Sequence, residues 1–278
     1  MSFPTTVYLS EEQIIETSST QKMPLGTRGC ASDGRIFRYA QAGGTALGQY
    51  KLCISAAQGP ASTATDQKLY SPYAVASTIA QIYLSTIALP VLSANYFKDG
   101  YLMIESTDTA VCQICPIDSN EALNSATAAA GTAAAANTVW LKPPGFKKLG
   151  DTSTGLVKLV ANPYKLVVVS TDANGPGFPV GVTPIGVTAN YYFWIQTWGP
   201  TLAHAGEGVA SIDKQPGFPV AWSTGSTGGV GGLQQSTGGN LDPAVTDSGF
   251  SSYNRVGTLI TTAPAASFYH MINLTIAP

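Results

Sequence analysis

The chain has 278 residues, of which 44% are hydrophobic and only 11% charged, with a formal net charge of −2. An average globular chain is roughly 25% charged, so small and uncharged polar residues stand where charge would be. Fourteen scattered Lys and Arg cannot track a phosphate backbone, which excludes a basic nucleic-acid binder; plentiful apolar residues at low net charge exclude wholesale disorder.

Residues 1–24 read as an extended arm. Pro4, the Thr5-Thr6 pair and the run Thr17-Ser18-Ser19-Thr20 offer few apolar anchors, and residues 11–16 have room for one helical turn. No basic and apolar leader follows Met1, so no secretory signal is expected. Asp33-Gly34 is a turn into a strand at 36–39, and a further strand begins at 52–54. No charge falls between Lys68 and Lys98, but Pro72, Gln81 and Pro90 interrupt this stretch, so no membrane span is expected. Its Ile, Tyr, Thr and Val content over 79–92 favours strand over helix. Asp99-Gly100 is another turn, followed by strands at 101–106 and 111–115. Residues 121–137 are Ala-rich and fit either a short helix or a small-residue loop.

Strands are then expected at 156–160 and 166–170, with Asn162-Pro163 as the turn between them. Residues 180–187 contain Gly181 and Pro184 and read as an edge or interrupted strand. Residues 191–198 are the strongest strand signal, and strands at 256–262 and 268–276 close the sequence. Pro-Gly-Phe-Pro-Val occurs at 176–180 and again at 216–220; with unlike flanks, it reads as a recurring turn into a strand rather than a repeat architecture. Residues 223–239, almost all Ser, Thr and Gly, read as a long surface loop. The fold class expected is all-β, a sandwich or barrel with an extended N-terminal arm and long surface loops. Four segments follow: the arm at 1–24, a β-rich region at 25–117, an Ala-rich insertion or linker at 118–155 and a β-barrel-like region at 156–278.

The side chains point away from catalysis. Cys112 and Cys115 have CxxC spacing, but no second pair lies at zinc-ribbon distance and the only histidines are His204 and His270. Cys30 and Cys53 stand alone, so core cysteines in a reducing compartment are expected. No Gly-x-Ser-x-Gly elbow or Gly-Lys-Ser/Thr phosphate loop occurs, and neither His204 with Glu207 or Asp213 nor any carboxylate pair is specific enough to nominate. No catalytic, metal or cofactor site is expected. The aromatic strand is the remaining feature. Alternation places Tyr191, Phe193 and Ile195 on one face and Tyr192, Trp194, Gln196 and Trp198 on the other. A strand apolar on both faces is central in a sandwich, covered by another subunit, or a platform for sugar rings.

Several segments in order resemble the head-decoration (cement) proteins of tailed-phage virions. They are Pro24-Leu25-Gly26-Thr27-Arg28, running into Asp33-Gly34-Arg35-Ile36-Phe37-Arg38-Tyr39-Ala40-Gln41-Ala42-Gly43-Gly44; Ser93-Ala94-Asn95-Tyr96-Phe97 with Asp99-Gly100-Tyr101-Leu102; Val160-Ala161-Asn162-Pro163-Tyr164; Tyr192-Phe193-Trp194-Ile195-Gln196-Thr197-Trp198-Gly199-Pro200; and Val256-Gly257-Thr258 with Ile272-Asn273-Leu274. The Ala-rich and Ser/Thr/Gly segments depart from the pattern. The resemblance implies a non-enzymatic protein, made in the bacterial cytoplasm, that binds the outer surface of a phage head as a dimer or trimer and stabilises joints between major capsid protein subunits. It implies no cofactor, nucleic acid or membrane. The candidate subunit or capsid interface comprises Phe3, Tyr8, Ile14 and Ile15 of the arm and Tyr192, Trp194 and Trp198 of the aromatic strand. The alternative is a phage fibre or receptor-binding module that takes glycans.

Overall fold

The structure, a computed structural model, describes residues 6–55, 67–69, 81–85, 92–105, 112–123, 138–143, 145, 156–170, 178–204, 219–222, 233–235, 255–261 and 269–278. The described elements, in chain order, are β1 (Thr6–Leu9), α1 (Glu11–Ile14), β2 (Arg28–Ala31), β3 (Ile36–Gln41), β4 (Leu52–Ile54), β5 (Gln67–Leu69), β6 (Gln81–Ser85), β7 (Tyr101–Glu105), β8 (Cys112–Asn120), β9 (Thr138–Leu141), β10 (Leu156–Val160), β11 (Val168–Val169), β12 (Pro179–Val182), β13 (Tyr192–His204), β14 (Pro219–Trp222), β15 (Leu233–Gln235), β16 (Arg255–Leu259) and β17 (Tyr269–Thr275). The fold is all-β, as the turn spacing and the scarcity of helical periodicity predict.

The chain forms two compact units, residues 1–56 with 163–278, and residues 57–162 inserted between them. This division differs from the four segments expected from the sequence, because strands distant in sequence pair with each other. In the first unit the strands run in the order β1-β2-β3-β13-β17-β16-β14-β15, with β4, β11 and β12 attached beside this path. Three buried clusters fill it, one of them built on Phe193, Ile195, Val180 and Cys53 and another on Ile272, Leu274, Val256 and Leu52. In the second unit the strands β10-β5-β6-β9-β8-β7 close into a barrel. Its core contains Phe97, Leu102, Ile117, Leu123 and Val139. Asp99 takes the left-handed conformation (φ 62°) that the Asp-Gly turn demands. Its buried carboxylate meets Lys142 Nζ at 2.7 Å, and Asn162 Nδ2 donates to its carbonyl oxygen.

Several expectations change here. Asn162-Pro163 is not a hairpin turn: β10 pairs with β5 and β7, whereas β11 pairs with β4, so the dipeptide marks the passage between units. β8 runs four residues past Pro116 to Asn120, and β9 spans Thr138–Leu141, so the segment at 118–155 contributes residues to two barrel strands. β15 lies inside the predicted Ser/Thr/Gly loop. Most of the Ala-rich run, at 124–137, lies outside the described residues. The two Pro-Gly-Phe-Pro-Val copies each open a strand, β12 at Pro179 and β14 at Pro219, with unrelated partners. Residues 180–187 form an interrupted strand: β12 ends at Val182, and its register shifts around Gly181.

The insertion sits at a natural joint of the first unit. Its ends continue from β4 and lead into β11, which are antiparallel neighbours with Ile54 opposite Val168. Opposed Cα atoms in such a ladder lie about 5 Å apart. Replacing residues 57–162 by a linker of about four glycines and serines should therefore leave the first unit folded, with dispersed NMR amide signals and one cooperative unfolding transition. A collapsed spectrum would show the reverse. Elsewhere a Cβ at Gly257 would stand 2.2 Å from the Asn273 carbonyl oxygen across the β16–β17 ladder, whereas one at Gly44 would meet nothing within 4 Å. Gly257→Ala should cost about 2–3 kcal/mol by overpacking, and Gly44→Ala under about 0.5 kcal/mol, both read from chemical denaturation.

Candidate interaction surface

β13 is thirteen residues long and carries no charge. Its first half pairs with β3 and its second with β17, and Trp198 stands in both ladders. The register against β3 slips between Gln196, opposite Phe37, and Trp198, opposite Ile36, so Thr197 is one extra residue, a β-bulge. Gln196 stabilises it from inside: its buried Nε2 donates to the carbonyl oxygens of Trp198 (3.2 Å) and Pro200 (2.9 Å). Thr197 Oγ1 donates to the Ala277 carbonyl at 2.7 Å. One extra residue flips the alternation. Trp198 therefore shares the face of Ile36, while Trp194, opposite Tyr39, shares the face of Phe37. This corrects the expectation that Trp194 and Trp198 form one stripe.

The two expected interface sets, the N-terminal segment and the aromatic strand, do come together, but as partners of each other. Leu9, Ile14, Leu25, Phe37, Tyr39 and Trp194 form one buried cluster, with Val7, Met23 and Tyr192 against it. Ile14 is 2% exposed and Trp194 5%, which removes both from any external surface. Tyr39 stacks on Tyr192 (6.0 Å between centroids) and meets Trp194 edge to face (5.1 Å). Ser18 and Tyr192 exchange backbone hydrogen bonds of 2.9 and 2.8 Å, and the Lys22 N–H donates to Tyr39 Oη. Residues 6–24 thus fold onto their own chain. β1 adds in parallel to β2, and Gly29 of β2 leaves room for Leu9 to reach Trp194.

The local chemistry explains why this segment holds. Ser10 and Gln13 form a reciprocal capping box on α1, with two acidic residues in its first turn. Arg35 bonds Glu11 (2.6 Å) and Asp33 (2.5 Å) and lies over the Phe37 ring, while Lys22 pairs with Glu16. Desolvation pushes the Asp33 carboxyl up, but the Arg35 N–H and guanidinium outweigh it and hold it below its usual range. Such half-exposed pairs are worth about 0–1 kcal/mol each. Burying Leu9 and Ile14 is worth about 1.5–3 kcal/mol each, so apolar packing outweighs charge here.

The remaining nominated residues lie as follows. Tyr8 is 84% exposed and Ile15 also faces solvent, both at the N-terminal border of the sheet; Tyr192 and Trp198 are half-buried, and Phe3 lies outside the described residues. The sequence reading missed an exposed apolar group on β13 and β17 and just past β16: Leu202, Met271, Tyr269 and Ile260. Strand alternation in 199–204 and 269–275 would have shown it once β13 was known to continue beyond Trp198. Cys53 and Cys115 are buried, and burial pushes both thiols up, which suits core cysteines. Among the described residues no cluster of His, Cys, Asp and Glu is arranged to hold a metal ion. No family model, curated protein or solved structure matches the chain.

If Trp194 is the anchor of the N-terminal segment, Trp194→Ala should cost about 3–5 kcal/mol. It should also release residues 6–24 first. Hydrogen exchange in β1 and at Ser18 should then accelerate far more than in the second unit. Equal acceleration throughout would deny Trp194 that role.

Proposed function

We propose that this chain is a non-enzymatic head-decoration protein that binds the outer surface of an assembled tailed-phage shell and reinforces joints between capsid subunits. The observation that carries the reading is the distribution of its exposed apolar side chains. A protein that spans a joint must grip at least two neighbours. Tyr8, 84% exposed, stands on β1 at the edge of the first unit's sheet. Ile114, equally uncharged and exposed, belongs to the other unit. Interfaces of this kind are poor in charge and rich in aromatic residues and Met, which agrees with a chain only 11% charged.

The mechanism would be linkage. A ligand that binds assembled shell but not free subunits stabilises the shell by mass action, by about 2.7 kcal/mol per site at a hundredfold excess over Kd. The glycan-platform reading is weaker, because the Trp pair it needed is split between two faces and Trp194 is buried.

The test is cosedimentation of the purified chain with expanded, tail-free heads that lack it. The chain should pellet in a saturable manner and raise the temperature at which the heads rupture. Tyr8→Asp should weaken binding at least tenfold, an effect of ~1.4 kcal/mol or more. A chain that stays in the supernatant at every concentration, or that binds glycans instead, overturns the proposal.

A further inference from the structure

We propose that the outward face of β13, β17 and β16 is the contact between two copies of this chain, packed sheet face to sheet face. The proposal rests on the decoration reading for its expectation of a homo-oligomer and names the surface that would make it.

Register defines the face. Leu202 is opposite Met271 and His204 opposite Tyr269. The Ile260 N–H donates to the Met271 carbonyl, placing Ile260 beside it. Leu202, Met271, Tyr269 and Ile260 are 38–47% exposed, while their alternates Ala203, His270, Ile272 and Leu259 are buried. A contiguous apolar group on a solvated sheet face is the signature of an interaction site.

Tyr50 extends this face under backbone strain. It holds φ 57°, a conformation bulky side chains avoid, and its carbonyl accepts the His204 N–H. Its ring meets Tyr269 edge to face at 5.9 Å, and the His204 imidazole meets Tyr269 at 5.5 Å. Strain of this kind persists where the surroundings over-determine it, and it gathers at functional surfaces.

Charge selects the occupant. No Asp, Glu, Lys or Arg occurs in β13, in β17 or in 256–261; the one charged residue of β16, Arg255, is its first, five positions before Ile260. A charged partner would lose water from its charges with nothing here to pair them. A second copy presents a surface equally free of charge and self-complementary about a two-fold axis. The net charge of −2 per chain hardly opposes the approach. The outward positions number about ten, fewer than the roughly 20–30 residues per side of a standard interface. The contact is therefore of the weak, transient class, strengthened on a shell by high local concentration.

Sedimentation velocity of the full chain, from 1 to 100 µM by dilution series, tests it. The wild type should associate reversibly within that range. Met271→Asp should raise the dissociation constant about thirtyfold or more, and Leu202→Lys, a second exposed position, should do the same. Ile114→Asp, in the other unit, should leave it unchanged, and circular dichroism should overlay for all four proteins. A wild type that stays monomeric at 100 µM, or variants that associate as well as the wild type, overturns the proposal. Head binding is scored separately. A monomer that still binds heads, and loses them with Met271→Asp, assigns this face to the capsid and refutes the self-contact while leaving the decoration reading intact. An oligomer that ignores heads does the opposite.

Discussion

The first unit depends on one extra residue. Were Thr197 paired in regular register instead of bulged, β13 would continue the alternation set by its ladder with β3, and Pro200, Leu202 and His204 would swap faces with Gly199, Thr201 and Ala203. The buried alanine that packs with Ile272 and Leu274 would then face water, and Leu202 would face the core. The bulge lets a single strand serve two pairings with different inward phases. Its cost is a run of carbonyls that the ladders do not all satisfy, and the Gln196 amide offsets that cost by supplying donors from within. A buried amide is expensive unless paired, so Gln196 is explicable only together with the bulge.

The same strand decides the fate of the N-terminal segment. An aromatic stripe of Tyr192 and Trp194 beside Tyr39 exposes more apolar surface than a solvated sheet face tolerates, and something must cover it. Residues 6–24 do so. β1 contributes Leu9, α1 contributes Ile14, and Ser18 closes over Tyr192 with two backbone bonds. The three exposed ion pairs of this region together add at most about what Leu9 alone contributes. The segment is thus part of the first unit's core, and its outward residues, Tyr8 and Ile15, stay available because Leu9 and Ile14 point inward.

Much of this was legible in the residues, and the failures have physical causes. The Asp33-Gly34 and Asp99-Gly100 turns, the strands at 36–39 and 52–54, those expected at 101–106 and 256–262 as far as 105 and 259, and the dominance of 191–198 follow from turn chemistry and β-propensity, both local. The passage between units at Asn162-Pro163 looks identical to a hairpin turn, because only pairing with β4 or β7 separates the two. Pro116 suggests a strand end, yet β8 continues through it with a register shift just beyond, where a missing N–H is tolerated. The surface was harder to read than the fold. Trp194 and Ile14 have the chemistry of interface residues, and composition cannot distinguish a partner's aromatic surface from a surface covered by the chain's own N-terminal segment. The bulge at Thr197, which moves Trp198 away from Trp194, leaves no mark in the sequence.

Low charge links the two levels. In most proteins solubility is maintained by Lys, Glu, Arg and Asp on outward strand positions, which also keep sheet faces apart. Here the outward positions of β13 and β17 carry Pro, Leu, His, Tyr, Met, Asn and Thr instead. Such faces are stable in water only while they are small or covered. The chain covers one of them itself, over Tyr192 and Trp194, and leaves the other, over Leu202 and Met271, open. The N-terminal segment closes one apolar face and the next stays uncharged, and it is that second face which the proposed contact between copies would cover.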